Sequence, residues 1–256
     1  MTNRWKLVLA GLVAAATPAV GQQDTGYVLG PEDQIELTVY GHPDMTVKTR
    51  VRSDGTITVP VIGPVRATGR SPGELSDAVA EQLRKEGVIQ RPVVSVDVAA
   101  FNSKTVTVLG ALNTPGVYAL DHPYSLSAVV ARAGGIRPDG SDRIVLRRTN
   151  GTPVYSVDLA TLATDKSTDV MLSAGDTVFV PPAELFFVYG QVSAPGSYPM
   201  VSGMTLRQAL ARAGGPTLAG TEKKVVLYRQ GKEVGQADLS APVAKGDTLF
   251  VRERSF

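Results

Sequence analysis

The sequence predicts an α+β chain in which a β-rich unit precedes two copies of a smaller strand, turn, strand and helix unit. Three observations carry that prediction. Ten of the 26 residues at positions 110–135 recur unchanged 80 positions later, against about one or two expected from average composition. Such an internal repeat sets the architecture of a chain. Each copy then closes on the same phrase, Gly175-Asp176-Thr177-Val178-Phe179-Val180 and Gly246-Asp247-Thr248-Leu249-Phe250-Val251. Ahead of the copies, residues 27–104 run in short apolar/polar alternations broken by turn residues, with one amphipathic helical stretch.

The chain opens with Arg4 and Lys6 ahead of an apolar run at residues 7–16, which Thr17 and Pro18 interrupt before Ala19-Val20-Gly21. A basic start, a short apolar core and a small-x-small triplet make a secretory signal peptide, residues 1–21, with cleavage expected ahead of Gln22. A spanning helix needs ~20 apolar residues, and no stretch of the chain supplies them. Cleavage would leave 235 of the 256 residues and remove two positive charges, lowering the formal net charge from +2 to 0. No nucleic-acid partner is suggested, because phosphate binding leans on surplus Lys and Arg. Cysteine is absent, which excludes disulfides, thiolate metal ligands, cysteine nucleophiles and a lipid-modified N-terminal cysteine. The 43% of hydrophobic residues must hold the fold.

Residues 22–104 form the first unit. Val47, Thr49 and Val51 alternate with Lys48, Arg50 and Arg52; Ser53-Asp54-Gly55 turns the chain, and Ile57, Val59 and Val61 resume the alternation. Asp-Gly between two alternating runs predicts that these strands pair as a hairpin. Ser71-Pro72-Gly73-Glu74 combines a capping box with proline at the first helical position, and Leu75, Ala78, Val79 and Leu83 supply the buried stripe of a helix. Strands follow at residues 93–98 and 105–109. The basic row Lys48, Arg50 and Arg52 reads as the solvated side of the hairpin, discouraging edge-to-edge aggregation. The alternative is a surface for an anionic ligand.

The copies occupy residues 105–182 and 183–256. In each, a Pro-Gly pair, Pro115-Gly116 and Pro195-Gly196, predicts a tight reversal with the glycine at positive φ. Ser125 and Thr205 start the helix that follows, Thr205 with Gln208 as a capping box, and Leu206, Ala209 and Leu210 face the core. Both helices stop at Ala-Gly-Gly, so Gly134-Gly135 and Gly214-Gly215 are expected as caps, the first of each pair in the left-handed C′ position. A phosphate cradle would place such glycines before a helix, not after it. The closing phrase recurs at an offset of 71 instead of 80. The first copy is therefore longer in its middle, with residues 161–168 expected as a surface loop. Gly-Asp turns into the closing strand, and Pro181-Pro182 marks the boundary between the copies.

No catalytic residue, metal or cofactor is assigned. His42 and His122 stand beside proline in turn-like sequence, outside any metal-ligand spacing, and no nucleophile elbow, phosphate loop or dinucleotide fingerprint occurs. Asp33, Asp54, Asp176 and Asp247 sit at turns, where side-chain capping accounts for them. A glycosidase-type carboxylate pair would assemble in space and leave no local pattern. Tyr27, Tyr40, Tyr118 and Tyr198 suit either stacking on sugar rings or the edge of a core with a wet hydroxyl.

The first unit contains Leu29-Gly30-Pro31-Glu32-Asp33-Gln34-Ile35; Asp54-Gly55-Thr56-Ile57 leading to Pro60-Val61-Ile62-Gly63; Gly69; Glu74 and Leu75; and Arg91-Pro92-Val93-Val94. Together these phrases resemble the N-terminal domain of the outer-membrane polysaccharide export proteins, the Wza-like or OPX family. The two copies resemble the soluble-ligand-binding β-grasp (SLBB) domains that follow it in that family. The ordered set covers essentially all of the chain after residue 21. By this resemblance Gly30, Pro31, Asp33, Asp54, Gly55 and Gly63 are structural motif positions of the export domain, and no residue is assigned to polysaccharide contact.

The resemblance implies a periplasmic homo-oligomeric ring, octamer-like, that conducts capsular or exopolysaccharide from an inner-membrane polysaccharide co-polymerase toward the outer membrane. A sliding polymer needs a hydrated lumen with weak distributed contacts, and a closed ring needs two complementary faces per subunit. The founding type also has a lipid-modified cysteine and a C-terminal amphipathic helix that crosses the outer membrane. Here cysteine is absent and the sequence reaches Phe256 directly after the last strand. A non-lipidated protein is therefore expected, with a separate outer-membrane β-barrel supplying the pore or with weak docking by another route. The rival readings are a monomeric periplasmic glycan-binding module or sensor, which oligomeric state would separate, and a secreted polysaccharide-degrading enzyme, which released reducing ends would reveal.

Overall fold

Alternation and turn chemistry assemble three units, each around its own hydrophobic core. The structure is a computed structural model in which residues 26–149 and 154–254 are described; the expected signal peptide lies outside them. The first unit contains β1 (Gln34–Val39), β2 (Val47–Arg50), β3 (Thr56–Val59), β4 (Gly63–Arg66), α1 (Pro72–Lys85) and β5 (Val94–Ala100). Ile35, Leu37 and Val39 of β1 point into the core, where they meet Leu75, Val79 and Leu83 of α1. The capping box forms as read: the Ser71 hydroxyl accepts from the Glu74 N–H and the Glu74 carboxylate accepts from the Ser71 N–H.

The expected hairpin of β2 with β3 does not form. Asp-Gly makes its turn, with Gly55 at φ +82° and its N–H donating to the Arg52 carbonyl, but the strands leave it for different sheets. β2 pairs antiparallel with β1, which also pairs with β5, while β3 pairs with β4 as a separate hairpin. The reason is that β1 offers β2 a longer buried partner, and the turn becomes a corner between two sheets. The basic row then finds carboxylates on and beside β1: Lys48 lies 3.3 Å from Glu36 and Arg50 2.7 Å from Glu32. At the tip of the β3–β4 hairpin, Ile62 N–H donates to the Pro60 carbonyl across exposed Val61 at φ +71°. This is a γ-turn, a strained conformation for a β-branched residue.

The second unit comprises β6 (Thr105–Gly110), β7 (Gly116–Ala119), α2 (Leu126–Arg132), β8 (Arg143–Arg147), β9 (Tyr155–Asp158), α3 (Leu159–Thr164) and β10 (Thr177–Val180). The third repeats it as β11 (Leu185–Gly190), β12 (Gly196–Pro199), α4 (Leu206–Arg212), β13 (Gly220–Arg229), β14 (Lys232–Gln236) and β15 (Thr248–Glu253). The sheet orders match, β7-β6-β10-β8-β9 and β12-β11-β15-β13-β14. The shared closing phrase thus inserts its strand at the centre of each sheet, parallel to the first strand of the unit and antiparallel to its other neighbour. One face of each sheet is covered by the short helix, whose Leu126, Val129 and Val130, or Leu206, Ala209 and Leu210, are buried. The extra length of the first copy is not a plain loop: it holds α3 and a 3-10 turn, Lys166–Thr168, and is pinned by buried Leu162.

Candidate functional site

The two copies meet in a cleft of about 640 Å³, a size typical of ligand sites. Chain direction makes it. After β10, Pro181 accepts a hydrogen bond from Ser141 N–H and Ala183 N–H donates to the Asp139 carbonyl, so the connector is stitched to the start of β8. From the other side, Ser202 after β12 donates its N–H (2.8 Å) and its hydroxyl (3.1 Å) to Asp142. Between these ties lie Arg143, Glu184 and Lys245, over an apolar floor of Leu185, Phe187 and Met200. Arg143 approaches Asp158 and Lys245 approaches Glu184 only at 3.6 Å. Both pairs are beyond good hydrogen-bond length and largely solvated, so all four charged groups keep free bonding capacity.

The uncovered faces of the two β-grasp sheets flank this cleft. On the second sheet Leu185, Phe187 and Tyr189 project outward from β11, each about two-fifths exposed, and Tyr189 stacks on Phe250 of β15 at 4.7 Å between ring centres. On the first sheet Leu109 and Phe179 do the same. Sequence reading missed these residues. Their signal was present: Leu185-Phe186-Phe187-Val188-Tyr189 is apolar at both parities, so one face of that strand had to be apolar without a helix to cover it.

The motif residues of the export domain gather around a buried carboxylate. Asp33 is fully buried and accepts from Gly30 N–H (2.9 Å), Tyr27 hydroxyl (2.8 Å), the N–H groups of Asn102 and Ser103, and the Ser103 hydroxyl. It ties the first strand to the segment entering the second unit. Burial, reinforced by the Asp33 carboxylate and opposed by the Ser103 hydrogen bond, holds the Tyr27 phenol well above its ordinary pKa. Pro31 precedes Glu32, which takes φ +75° in the turn, and Gly63 takes φ +75° as β4 begins. Asp54 accepts from the Thr56 N–H and hydroxyl, and chiefly that hydroxyl keeps its carboxyl below the usual range.

In the repeats, Gly134 and Gly214 take φ +78° and Gly135 and Gly215 follow at +78° and +72°. Gly134 N–H donates to Ala131 and Gly135 N–H to Val130, with Gly214 to Ala211 and Gly215 to Leu210 in the second copy. Both are complete Schellman caps. The expectation for the Pro-Gly pairs is corrected: Gly116 and Gly196 lie outside positive φ and simply begin β7 and β12 after Pro115 and Pro195. The fold demands glycine instead at Gly110 and Gly190, among other positions, at φ +93° and +89°, where a Cβ would fall 1.9 Å from the Val180 carbonyl oxygen and 2.4 Å from that of Val251. The central strand passes too close for a side chain.

The tyrosines divide. Tyr118 and Tyr198 donate their hydroxyls to the Thr114 and Ala194 carbonyls of their own turns, Tyr27 is buried, and Tyr40 is 62% exposed. Asp176 and Asp247 are buried ion-pair partners, Asp176 of Arg148 at 2.8 Å and Asp247 of Arg229 through both oxygens at 2.7 and 2.8 Å. The Asp247 hydrogen bonds raise the Arg229 pKa. Neither arginine was singled out from sequence, because its partner is 28 or 18 residues away. Among the described residues no group of three or more His, Asp or Glu is placed to hold a metal ion, and no helix is long and apolar enough to cross a membrane.

Comparison with known proteins follows the same division of the chain. Residues 21–99 match the polysaccharide biosynthesis/export protein family, and residues 105–158 and 185–238 each match the SLBB domain. The chain belongs to the polysaccharide export family. It is 28% identical to the EPS I polysaccharide export outer membrane protein EpsA of Ralstonia solanacearum, over 91% of this chain and 68% of that protein. The capsule polysaccharide export protein BexD of Haemophilus influenzae is 26% identical over 68% of this chain and 44% of its own length. The polysialic acid transport protein KpsD of Escherichia coli is 28% identical over 65% and 30%. The export domain is thus the unit built around Asp33, and the cleft lies between the two SLBB repeats.

Proposed function

We propose that this protein is a ring-forming component of a capsular or exopolysaccharide export machine, working in the periplasm at the outer membrane and conducting the polymer toward an outer-membrane pore. One observation carries the reading: an export domain and two SLBB repeats stand in that order, and 91% of the chain aligns with a relative named for exopolysaccharide export. The geometry supports it. Each repeat leaves one sheet face uncovered, edged with Leu109 and Phe179 or with Tyr189 and Phe250, and contiguous exposed apolar surface is the usual mark of an interaction site. Two such faces on different repeats suit a heterologous contact that closes into a ring.

In this reading the protein performs no covalent chemistry. It reaches the periplasm through a cleaved signal peptide, carries no lipid, receives polymer from an inner-membrane co-polymerase and hands it to a separate outer-membrane β-barrel. The mass of the purified processed protein tests the assembly. A closed oligomer many times the mass of one chain, with a central opening under the electron microscope, is expected; a monomer at all concentrations would favour a ligand-binding module or sensor instead.

A further inference from the structure

We propose that the cleft between the two SLBB repeats is a saccharide subsite that holds a short hydroxyl-rich stretch of glycan, with Phe187 as its platform and Arg143, Glu184 and Lys245 as its polar contacts. The inference rests on the export reading and adds a place to it. The walls are preformed, since the Ser141–Pro181, Ala183–Asp139 and Ser202–Asp142 hydrogen bonds fix the backbone on both sides, and a preformed site spares the ligand the cost of ordering it. The lining is chemically mixed in the way a sugar ring is: Leu185, Phe187 and Met200 offer an apolar floor for its C–H face, and charged groups stand around the rim.

The charges decide the ligand class. Asp142, Glu184 and the Arg143 partner Asp158 stand against Arg143 and Lys245, so the charged groups of the cleft carry no positive excess and exert no pull on a polyanion. What it does supply is an acceptor in Glu184 and donors in Arg143 and Lys245, each held only loosely by its neighbour at 3.6 Å. Hydroxyl groups, which donate and accept at once, satisfy both.

The test uses the full processed protein and short oligosaccharides cut by partial hydrolysis from the polymer that the strain itself exports. Calorimetric titration should show binding, with hydrogen-exchange protection at residues 141–143 and 184–187. Phe187→Ala should weaken binding about tenfold, the value of one aromatic contact, and Lys245→Gln, on an exposed turn, should weaken it about threefold, as loss of a solvated charge contact allows. Absence of binding, or binding that both variants leave intact with protection elsewhere, overturns the proposal. So does a Phe187→Ala protein that loses its oligomeric mass but binds sugar normally, since that face would then be a contact between copies. Measuring export in a gene deletion alongside separates the two readings: a deletion that stops export while the cleft fails to bind sinks only the subsite.

Discussion

At the scale of single residues, the glycines that matter are set by how closely strands approach. Gly110 and Gly190 end the first strand of each repeat where the central strand crosses, and a methyl group there would collide with a backbone oxygen. Replacing either by alanine should cost more than ~2 kcal/mol, since positive φ and a backbone clash act together. Gly116→Val and Gly196→Val, at exposed strand starts, should stay within ~1 kcal/mol. Thermal unfolding of the four variants checks this, and equal losses would mean that the crossing is misplaced. The positive-φ requirement was illegible in sequence. Pro-Gly advertises a turn by composition, whereas Gly110 is demanded by a strand that arrives 70 residues later in the chain. The Ala-Gly-Gly caps were legible because a helix end is a local event.

At the scale of elements, helix signals are legible in the sequence and strand pairing is not. The helix behind Ser71–Glu74, its capping box and the repeat itself follow from spacing, but β2 and β3, which the Asp-Gly turn offers to each other, each have a better partner elsewhere. Pairing is a competition among all strands, and a turn sequence reports only the turn. The same limit hid the buried ion pairs. Arg229 joins β13 to the turn that feeds the central strand, through a carboxylate with no exposed surface. Arg229→Met should therefore destabilise the second SLBB repeat by ~1–3 kcal/mol, the range for a buried group that loses part of its hydrogen bonding, since Asp247 keeps the Ala244 N–H. Urea unfolding measures the loss, and a variant as stable as the parent would show that the Arg229–Asp247 pair does not hold the turn.

At the scale of the whole molecule, three small cores follow one another along the chain, each carrying its own exposed surface. The Asp33 cluster fixes the export domain to the segment entering the first SLBB repeat, and the Asp142–Ser202 tie joins the two repeats. The domain series was legible in sequence because motifs and repeats are linear; the uncovered aromatic faces and the cleft were not, because they exist only once β11 and β15 lie side by side. The most direct measurement is the amount of polysaccharide outside the cell in a strain lacking this gene, compared with the same strain carrying it on a plasmid. The account predicts that surface and secreted polymer disappear in the deletion and return with the plasmid, while the inner-membrane steps of synthesis remain competent. Normal polymer outside the deletion strain, with no second export protein of this family present, would contradict it.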